Sequence, residues 1–284
     1  MSVIYKNHDL NPEYSNMTKK ALLRLWAETI GKRYVDRYLL SESTKVIKGE
    51  KYGYLSGICY MTPAFSFSGG NTCSHHKAGD CRGPCLVSSG HMSLPEAIEA
   101  RADRLALFLK NPALFFEILK RELVLLGKRA RRRRLKVAGR MNGTTDLDWS
   151  RIQFGGKTIF EHFPRVRWYD YTKNPKLAEN YISAGVSITF SWYKRAETQT
   201  VLGLLDRGVN IAIAYKDKLP EFQAIGDRLV PVINGDLNDI RFEDPKGCFV
   251  GLLFKFATMA KNSAEINARA LESGFVVNSD FVIQ

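Results

Sequence analysis

The chain has 284 residues and a formal net charge of +13, from 42 lysines and arginines against 29 acidic residues. This length is enough to bury a full hydrophobic core. No apolar run approaches the ~20 residues of a membrane helix, and the N-terminal residues lack the apolar segment of a secretory signal. We therefore expect no membrane partner and a cytoplasmic location.

The first 50 residues are predicted to form a helical extension outside the main fold. Residues 16–30 show helical spacing of apolar side chains, and Thr18 is a good N-cap. Residues 51–284 are predicted to form one domain. Its first strand is expected within residues 51–61, in the apolar segment that begins Lys-Tyr-Gly-Tyr-Leu.

A cysteine-rich loop follows this first strand. Cys73, Cys81 and Cys85 lie within thirteen residues of a segment that also holds His75, His76 and the glycines Gly69, Gly70, Gly79 and Gly83. Clustered thiols in a cytosolic protein are typically metal ligands or redox groups. The pattern predicts a metal site: an iron–sulfur cluster with one open position, or zinc with His75 as fourth ligand. Ordinary small core residues are the alternative.

A long helix is predicted after this loop. It begins near Pro95, pauses at Asn111-Pro112 and runs on through residues 114–126. It leads into Lys-Arg-Ala-Arg-Arg-Arg-Arg-Leu-Lys at residues 128–136. Arginine forks bind phosphate with two parallel hydrogen bonds, so this run predicts a nucleic-acid partner, with DNA favoured. The alternative is a solvated helix end. The arginines concerned are Arg129, Arg131, Arg132, Arg133 and Arg134.

Strands and short helices alternate in the rest of the chain. Such alternation predicts a parallel sheet with crossover helices. The expected fold class is therefore α/β, as a full or partial β/α (TIM-like) barrel with the helical extension at its N-terminus. The strands are expected at residues 135–142, 166–172, 185–193, 209–215, 229–234 and 248–254, with helices at 175–184 and 197–206.

Acidic side chains follow two of these strands. Asp146 and Asp148 come after the second strand, and Asp236 and Asp239 come after the sixth. In a β/α barrel the active site lies at the carboxyl ends of the strands. These four carboxylates are therefore candidate acids, bases or nucleophiles. For any single one of them, ordinary turn chemistry is an equally good explanation.

Three segments resemble a group of phage proteins known as the gene-product-88 family. They are the cysteine loop, the Asn-Gly-Thr-Thr-Asp segment at residues 142–146, and residues 232–252. The resemblance covers residues 53–255 and implies phage origin, hence the host-cell cytoplasm, without implying an activity. The position of the cysteine loop also resembles that of radical S-adenosylmethionine enzymes, which implies S-adenosylmethionine as a possible cofactor. The spacing here, Cys-x7-Cys-x3-Cys, differs from theirs.

The sequence thus favours a metal-dependent, nucleic-acid-modifying transferase. The reaction would be transglycosylation with an Asp nucleophile, or radical chemistry at an iron–sulfur cluster. The alternative is a non-catalytic phage factor that binds nucleic acid or a host protein, with zinc only holding the loop. Four carboxylates in one cavity would repel a polyanion, which is why catalysis is the first hypothesis. The oligomeric state is left open.

Overall fold

A computed structural model describes residues 4–41, 49–63, 71–81, 85, 90–257 and 263–284. The chain divides into two compact units. Unit 1 comprises residues 1–72 and 96–168, and unit 2 comprises residues 73–95 and 169–284. Gly69, Gly70 and Gly83 of the predicted cysteine loop lie outside the described residues. No helix in the described ranges is long and apolar enough to cross a membrane.

The helices begin with two in the N-terminal segment, continue with a consecutive pair in the middle of the chain, and then alternate with strands. In chain order they are α1 Pro12–Asn16, α2 Lys19–Ile30, α3 Pro95–Lys110, α4 Pro112–Arg132, α5 Ile159–His162, α6 Pro175–Ser183, α7 Thr198–Asp206 and α8 Ser263–Glu272.

The strands include every strand expected from the sequence and several short ones that were not. In chain order they are β1 Asn7–His8, β2 Leu40–Ser41, β3 Tyr54–Cys59, β4 Lys136–Arg140, β5 Gln153–Phe154, β6 Lys157–Thr158, β7 Arg167–Thr172, β8 Ser187–Ser191, β9 Asn210–Tyr215, β10 Phe222–Ile225, β11 Arg228–Asn234, β12 Phe249–Leu253, β13 Val276–Val277 and β14 Val282–Ile283.

Helix capping explains where the predicted helices begin. Thr18 accepts a hydrogen bond from the N–H of Ala21 and caps α2, as expected. Asn111 caps α4 by accepting from the N–H of Leu114, and Pro112 follows it in the first turn. Proline cannot donate the next backbone hydrogen bond of α3. The predicted pause in the long helix is therefore a break between α3 and α4.

In unit 1, α4 is the central helix. It packs on β3 and β4 on one side, and α1 and α2 also contact it. Arg121 of α4 donates to the carbonyls of Tyr14, Ser15 and Met17, and Trp26 of α2 is fully buried. The N-terminal helices are therefore packed into unit 1 by both apolar and polar contacts.

The sheet of unit 1 is short. β3 pairs in parallel with β4, β2 pairs antiparallel with β3, and the first two residues of β7 pair with β4. Gly57 of β3 lies directly against Leu40 and Leu126, because a Cβ there would be about 3 Å from both side chains (3.1 and 3.0 Å). A second small sheet joins β1, β5 and β6.

The sheet of unit 2 has the order β7-β8-β9-β12-β11-β10-β14, and β13 pairs with the end of β9. The strands from β7 to β11 along this order are parallel, and β10 runs antiparallel to β11. β9 is almost wholly buried, as expected for a parallel strand covered on both faces. α6 packs against β8, and α7 against β9.

The expected α/β class, with parallel strands and crossover helices, is confirmed. A closed barrel is not formed by the described residues. In unit 1 the outer edge of β3 pairs with β2, and in unit 2 the outer edge of β11 pairs with β10. Both edges are occupied by antiparallel neighbours. Each sheet therefore ends at an edge and does not close on itself.

Candidate functional site

The arginine run is the exposed C-terminal end of α4. All five of its arginines are exposed, as are Lys128 and Lys136 on either side. The helix ends with Arg134 in the left-handed region (φ 56°), while the N–H of Leu135 donates to the carbonyl of Ala130 at 2.8 Å. Arg133 forms a two-pronged ion pair with Glu50. The arginines thus face solvent, which suits both the predicted nucleic-acid contact and the alternative of a solvated helix end, and nucleic-acid binding stays a prediction.

Two of these arginines also line a pocket of about 630 Å³ in unit 1. Arg129 and Arg132 share one face of α4 with Glu122, Leu125 and Leu126, because these positions are three or four residues apart. The rest of the lining comes from residues 36–38, β2, Gly57 of β3, Arg104 of α3 and Lys128 of α4.

Arg104 fixes the wall that faces α4. Its guanidinium donates to the carbonyls of Tyr38 (2.8 Å) and Tyr60 (3.3 Å) and to the hydroxyl of Ser41 (3.0 Å). The side chain is buried, with 7% exposure. A buried guanidinium with several backbone acceptors is costly to rearrange, so Arg104 is a structural part of the pocket.

Glu122 lies deeper in the same pocket than the arginines. Its two carboxylate oxygens accept the N–H groups of Leu39 (2.9 Å) and Leu40 (2.8 Å). Burial raises the pKa of Glu122 to about 7, although both N–H groups and Arg104 oppose the rise. The pocket thus combines a carboxyl group that titrates near neutral pH with a cationic rim. Sequence reasoning missed Glu122, since nothing in a helical pattern shows that one glutamate faces inward.

The cysteine loop lies at the carboxyl ends of β7 and β8 in unit 2, where a parallel sheet normally places its site. Residues 74–80 form consecutive turns. Asn174, just after β7, donates to Ser74 at 3.0 Å, and the His75 ring is 6.5 Å from that of Tyr193, just after β8. Burial lowers the pKa of His75.

Lys173 and Asp80 hold this loop in place. A Cβ at Gly79 would be 2.5 Å from the Lys173 side chain and 3.2 Å from the carbonyl oxygen of His75, so a larger residue there would require Lys173 to move. The Lys173 ammonium donates to the carbonyl of Trp192 at 2.9 Å. Asp80 pairs with Arg195 at 3.1 Å and Arg269 at 3.5 Å. The role of Lys173 and Arg195 as loop anchors depends on contacts that only the tertiary structure shows.

The predicted metal ligands Cys73, Cys81, Cys85 and His75 do not form a ligand group in this conformation. No set of three or more His, Cys, Asp or Glu side chains in the described part of the chain is arranged to hold a metal. Instead, Cys81 Sγ lies 3.6 Å from the carbonyl oxygen of Gly79, and His76 Nδ1 lies 2.9 Å from that of Cys73. The described residues therefore do not fit a metal ion as they stand, and metal binding by this loop stays a prediction.

Asp146 and Asp148 lie in unit 1, in the loop after β4. The N–H of Asp146 donates to the carbonyl of Thr72 at 2.7 Å, directly before Cys73 in the chain. Asp148 accepts from the N–H of Ser150 and caps a short 3₁₀ turn. Burial raises the pKa of Tyr5, and the charges of both aspartates add to this effect. The structure thus brings these two carboxylates together beside one tyrosine.

Asn142 organises the same loop. Its side-chain oxygen accepts from Thr145, from the N–H of Leu147 and from the indole of Trp149, while its amide donates to the carbonyl of Leu147. A buried asparagine with this many partners fixes the backbone around it. The Asn-Gly-Thr-Thr-Asp segment is therefore a rigid turn after β4.

Asp236 and Asp239 lie in unit 2, after β11. The Asp236 carboxylate accepts the N–H of Leu253 at 2.8 Å, an interaction that ties the turn to β12. Asp239 is buried and accepts from the hydroxyls of Tyr169 (3.3 Å) and Tyr171 (3.4 Å). The two carboxylates are therefore held by different partners.

Arg241 is the buried cation next to Asp239. It pairs with Asp244 at 3.2 Å and donates to the carbonyl of Asn238 at 2.7 Å. Burial alone would lower the pKa of Arg241, but Tyr171, Asp244 and Asp239 raise it. Asp239 thus belongs to a buried polar network at the face of β7, a role that its sequence position as a strand-end acid does not reveal.

These features define a mixed α/β protein with a basic, pocket-bearing helix end in one unit and a cysteine loop at the strand ends of the other. The family model described as gene product 88 matches residues 37–278. Because this match spans most of the chain, the protein belongs to the gene product 88 family, which confirms the resemblance to that phage family. Searches of curated proteins and of solved structures found no match.

Proposed function

We propose that this protein binds nucleic acid, with DNA as the favoured form, through the exposed end of α4. The observation that carries the proposal is the clustering of exposed arginines 129 and 131–134 at one helix end. A helix C-terminus favours cations within its last turn. However, like charges three or four residues apart destabilise a helix by a few tenths of a kcal/mol per pair. A run this dense is useful when a polyanion neutralises it.

The test is the salt dependence of binding. Replacing Arg131, Arg132, Arg133 and Arg134 by Ala should weaken DNA binding. It should also flatten the slope of log affinity against log salt by up to about three or four units, because each phosphate contact releases counterions. Fluorescence anisotropy of a labelled oligonucleotide at several salt concentrations measures both quantities. A slope equal to that of the unmodified protein would contradict the proposal.

A matched control removes the same charge elsewhere. Lys176, Lys216, Lys218 and Lys246 are exposed lysines of unit 2, and their replacement by Ala lowers the net charge equally. If the slope depends on the α4 end and not on the overall charge, this control should change it by about one unit or less. A control that flattens the slope as much as the arginine variant would point to nonspecific attraction.

A second candidate function is a nucleic-acid-modifying enzyme with its reactive centre at the cysteine loop. The observation that favours it is the location of this loop at the carboxyl ends of β7 and β8, where α/β proteins place their ligands. The carboxylate of Asp236, partly buried after β11 in the same unit, is the proposed acid, base or nucleophile at this centre, and the carboxylate of Asp146, partly buried after β4, is a separate candidate within unit 1.

The test of this second candidate uses Asp146→Asn and Asp236→Asn. Loss of a catalytic carboxylate typically costs ~10²–10⁴ in rate, whereas a turn residue tolerates asparagine. Turnover is measured by mass analysis of nucleosides after incubation with phage or host DNA. Asp217→Asn, at an exposed position, is the control. Wild-type turnover in both variants would remove these carboxylates from the mechanism.

A further inference from the structure

The lining of the unit 1 pocket differs in charge and polarity between its rim and its interior. At its rim are the exposed cations Lys128, Arg129 and Arg132, and deeper inside are Leu126 and the Glu122 carboxyl group. The rim suits a phosphate, since arginine donates two parallel hydrogen bonds to it. The deeper part suits a flat group that carries hydrogen-bond donors.

The apolar part of the lining comes from four side chains: Tyr38, Leu40, Leu125 and Leu126. Tyr38 and Leu125 are half exposed, at 51% and 49%, although both are large and apolar or aromatic. Leu40 from β2 lies on the same wall as Tyr38. Proteins that bind single-stranded nucleic acids place exposed aromatic side chains beside cations, because every base has a face that can stack.

The backbone fixes the depth of this pocket. Gly57 has no side chain, so Leu40 and Leu126 approach to about 3 Å of where a Cβ would be. The carboxylate of Glu122 is oriented by the N–H groups of Leu39 and Leu40. Each carboxylate oxygen can accept a further hydrogen bond, so Glu122 retains capacity for the donors of a base edge.

We propose that this pocket holds one nucleotide unit of a single strand, with its phosphate at Arg129 and Arg132 and its base against Tyr38 and Leu125, near the Glu122 carboxyl group. The inference rests on the proposed nucleic-acid binding and adds to it the form of the ligand. The pocket volume of about 630 Å³ lies within the roughly 300–1,000 Å³ typical of ligand pockets. A base inside duplex DNA could not enter without leaving its stack, so a single strand is preferred over a duplex.

The experiment removes the aromatic side chain of the pocket without changing its charge. Tyr38→Ala shortens a half-exposed side chain, so the fold should tolerate it. We expect this variant to bind a labelled eight-nucleotide single strand at least about tenfold more weakly, because a stacking contact is lost. Binding of a duplex of the same sequence should change by less than about threefold. Single-strand binding as tight as in the unmodified protein would overturn the proposal.

A pair of charge variants separates the pocket from the rest of the arginine run. Arg129→Ala with Arg132→Ala removes the rim arginines of the pocket, and Arg131→Ala with Arg134→Ala removes two arginines outside its lining. We expect the first pair to abolish the preference for the single strand and the second pair to retain it. Equal behaviour of the two pairs would overturn the proposal.

Free deoxynucleoside monophosphates and inorganic phosphate serve as competitors. A monophosphate that displaces the single strand from the unmodified protein, when equimolar phosphate does not, supports recognition of base and phosphate together. Displacement by phosphate alone at the same concentration would overturn it. If the protein binds no strand but still binds a monophosphate, and Tyr38→Ala binds that monophosphate at least about tenfold more weakly, the pocket stands and the proposed nucleic-acid function fails.

Discussion

Glu122 shows how one side chain changes role with its surroundings. On the surface of a helix it would be one acid among many, but here it accepts two backbone N–H groups next to an edge strand. Those N–H groups are otherwise directed at the pocket, and an unsatisfied buried donor costs about 1–3 kcal/mol. Glu122 therefore holds β2 against α4, and burial holds its pKa near 7.

This carboxyl group should make the stability of the protein depend on pH. Its pKa is raised from 4.5 to about 7 on folding, so the folded state binds the proton more tightly than the unfolded state. The contribution of Glu122 is then greatest below about pH 4.5 and declines as the pH rises to about 7. The decline is at most ~3 kcal/mol. In Glu122→Gln, the free energy of unfolding, measured with denaturant, should vary less with pH between these values.

Glu161 serves as a control, because its pKa is shifted in the opposite direction to that of Glu122. Its pKa is lowered, first by the N–H and then by the hydroxyl of Thr158, with which it forms a capping box. Its contribution to stability is present above its ordinary pKa and is lost as the pH falls. Glu161→Gln should therefore remove stability at neutral pH and leave the decline between pH 4.5 and 7 intact. If the unfolding free energy of Glu122→Gln still declines between pH 4.5 and 7, another titrating group causes the decline.

At the level of elements, the segment after β3 and the segment after β4 are joined. Thr72 donates to the carbonyl of Thr62 at 2.9 Å and accepts, through its own carbonyl, from the N–H of Asp146. Thr144 donates to the carbonyl of Met61. Neighbouring parallel strands bring their carboxyl ends to the same edge, so the start of the cysteine loop is fixed there.

The cysteine loop itself can be tested for metal. If Cys73, Cys81 and Cys85 bind a metal, freshly purified protein prepared without oxygen should contain iron or zinc in an amount that corresponds to a single metal site per chain. An iron–sulfur cluster would colour the protein brown, while zinc is colourless because its d shell is full. Replacing all three cysteines by Ser should abolish the metal content, and Cys248→Ser, at a buried position, should not. Metal-free protein that folds normally would refute the metal site.

For the molecule as a whole, the decisive feature is how the sheets end. The sequence contains strand–helix alternation that suits a barrel, but β10 and β11 form an antiparallel hairpin around Gly226. Within this hairpin, β10 pairs with the outer edge of β11. On the other side of β11, β12 lies between β11 and β9. A strand inserted out of chain order cannot be seen in local periodicity, because it depends on long-range pairing. The hairpin is a local feature, which the two turn residues Gly226 and Asp227 signal.

The sequence by itself determined the local structure of this protein. Proline, asparagine and threonine fixed the starts of α2 and α4, and apolar runs such as Val209-Asn-Ile-Ala-Ile-Ala located β9, since capping and side-chain periodicity act over a few residues. It also determined the exposed arginine run and the family. Only the tertiary structure decided which groups meet: Glu122 with the N–H groups of Leu39 and Leu40, and Asp239 with the hydroxyls of Tyr169 and Tyr171. These partners are 68 to 83 residues apart in the chain, so only packing brings them together.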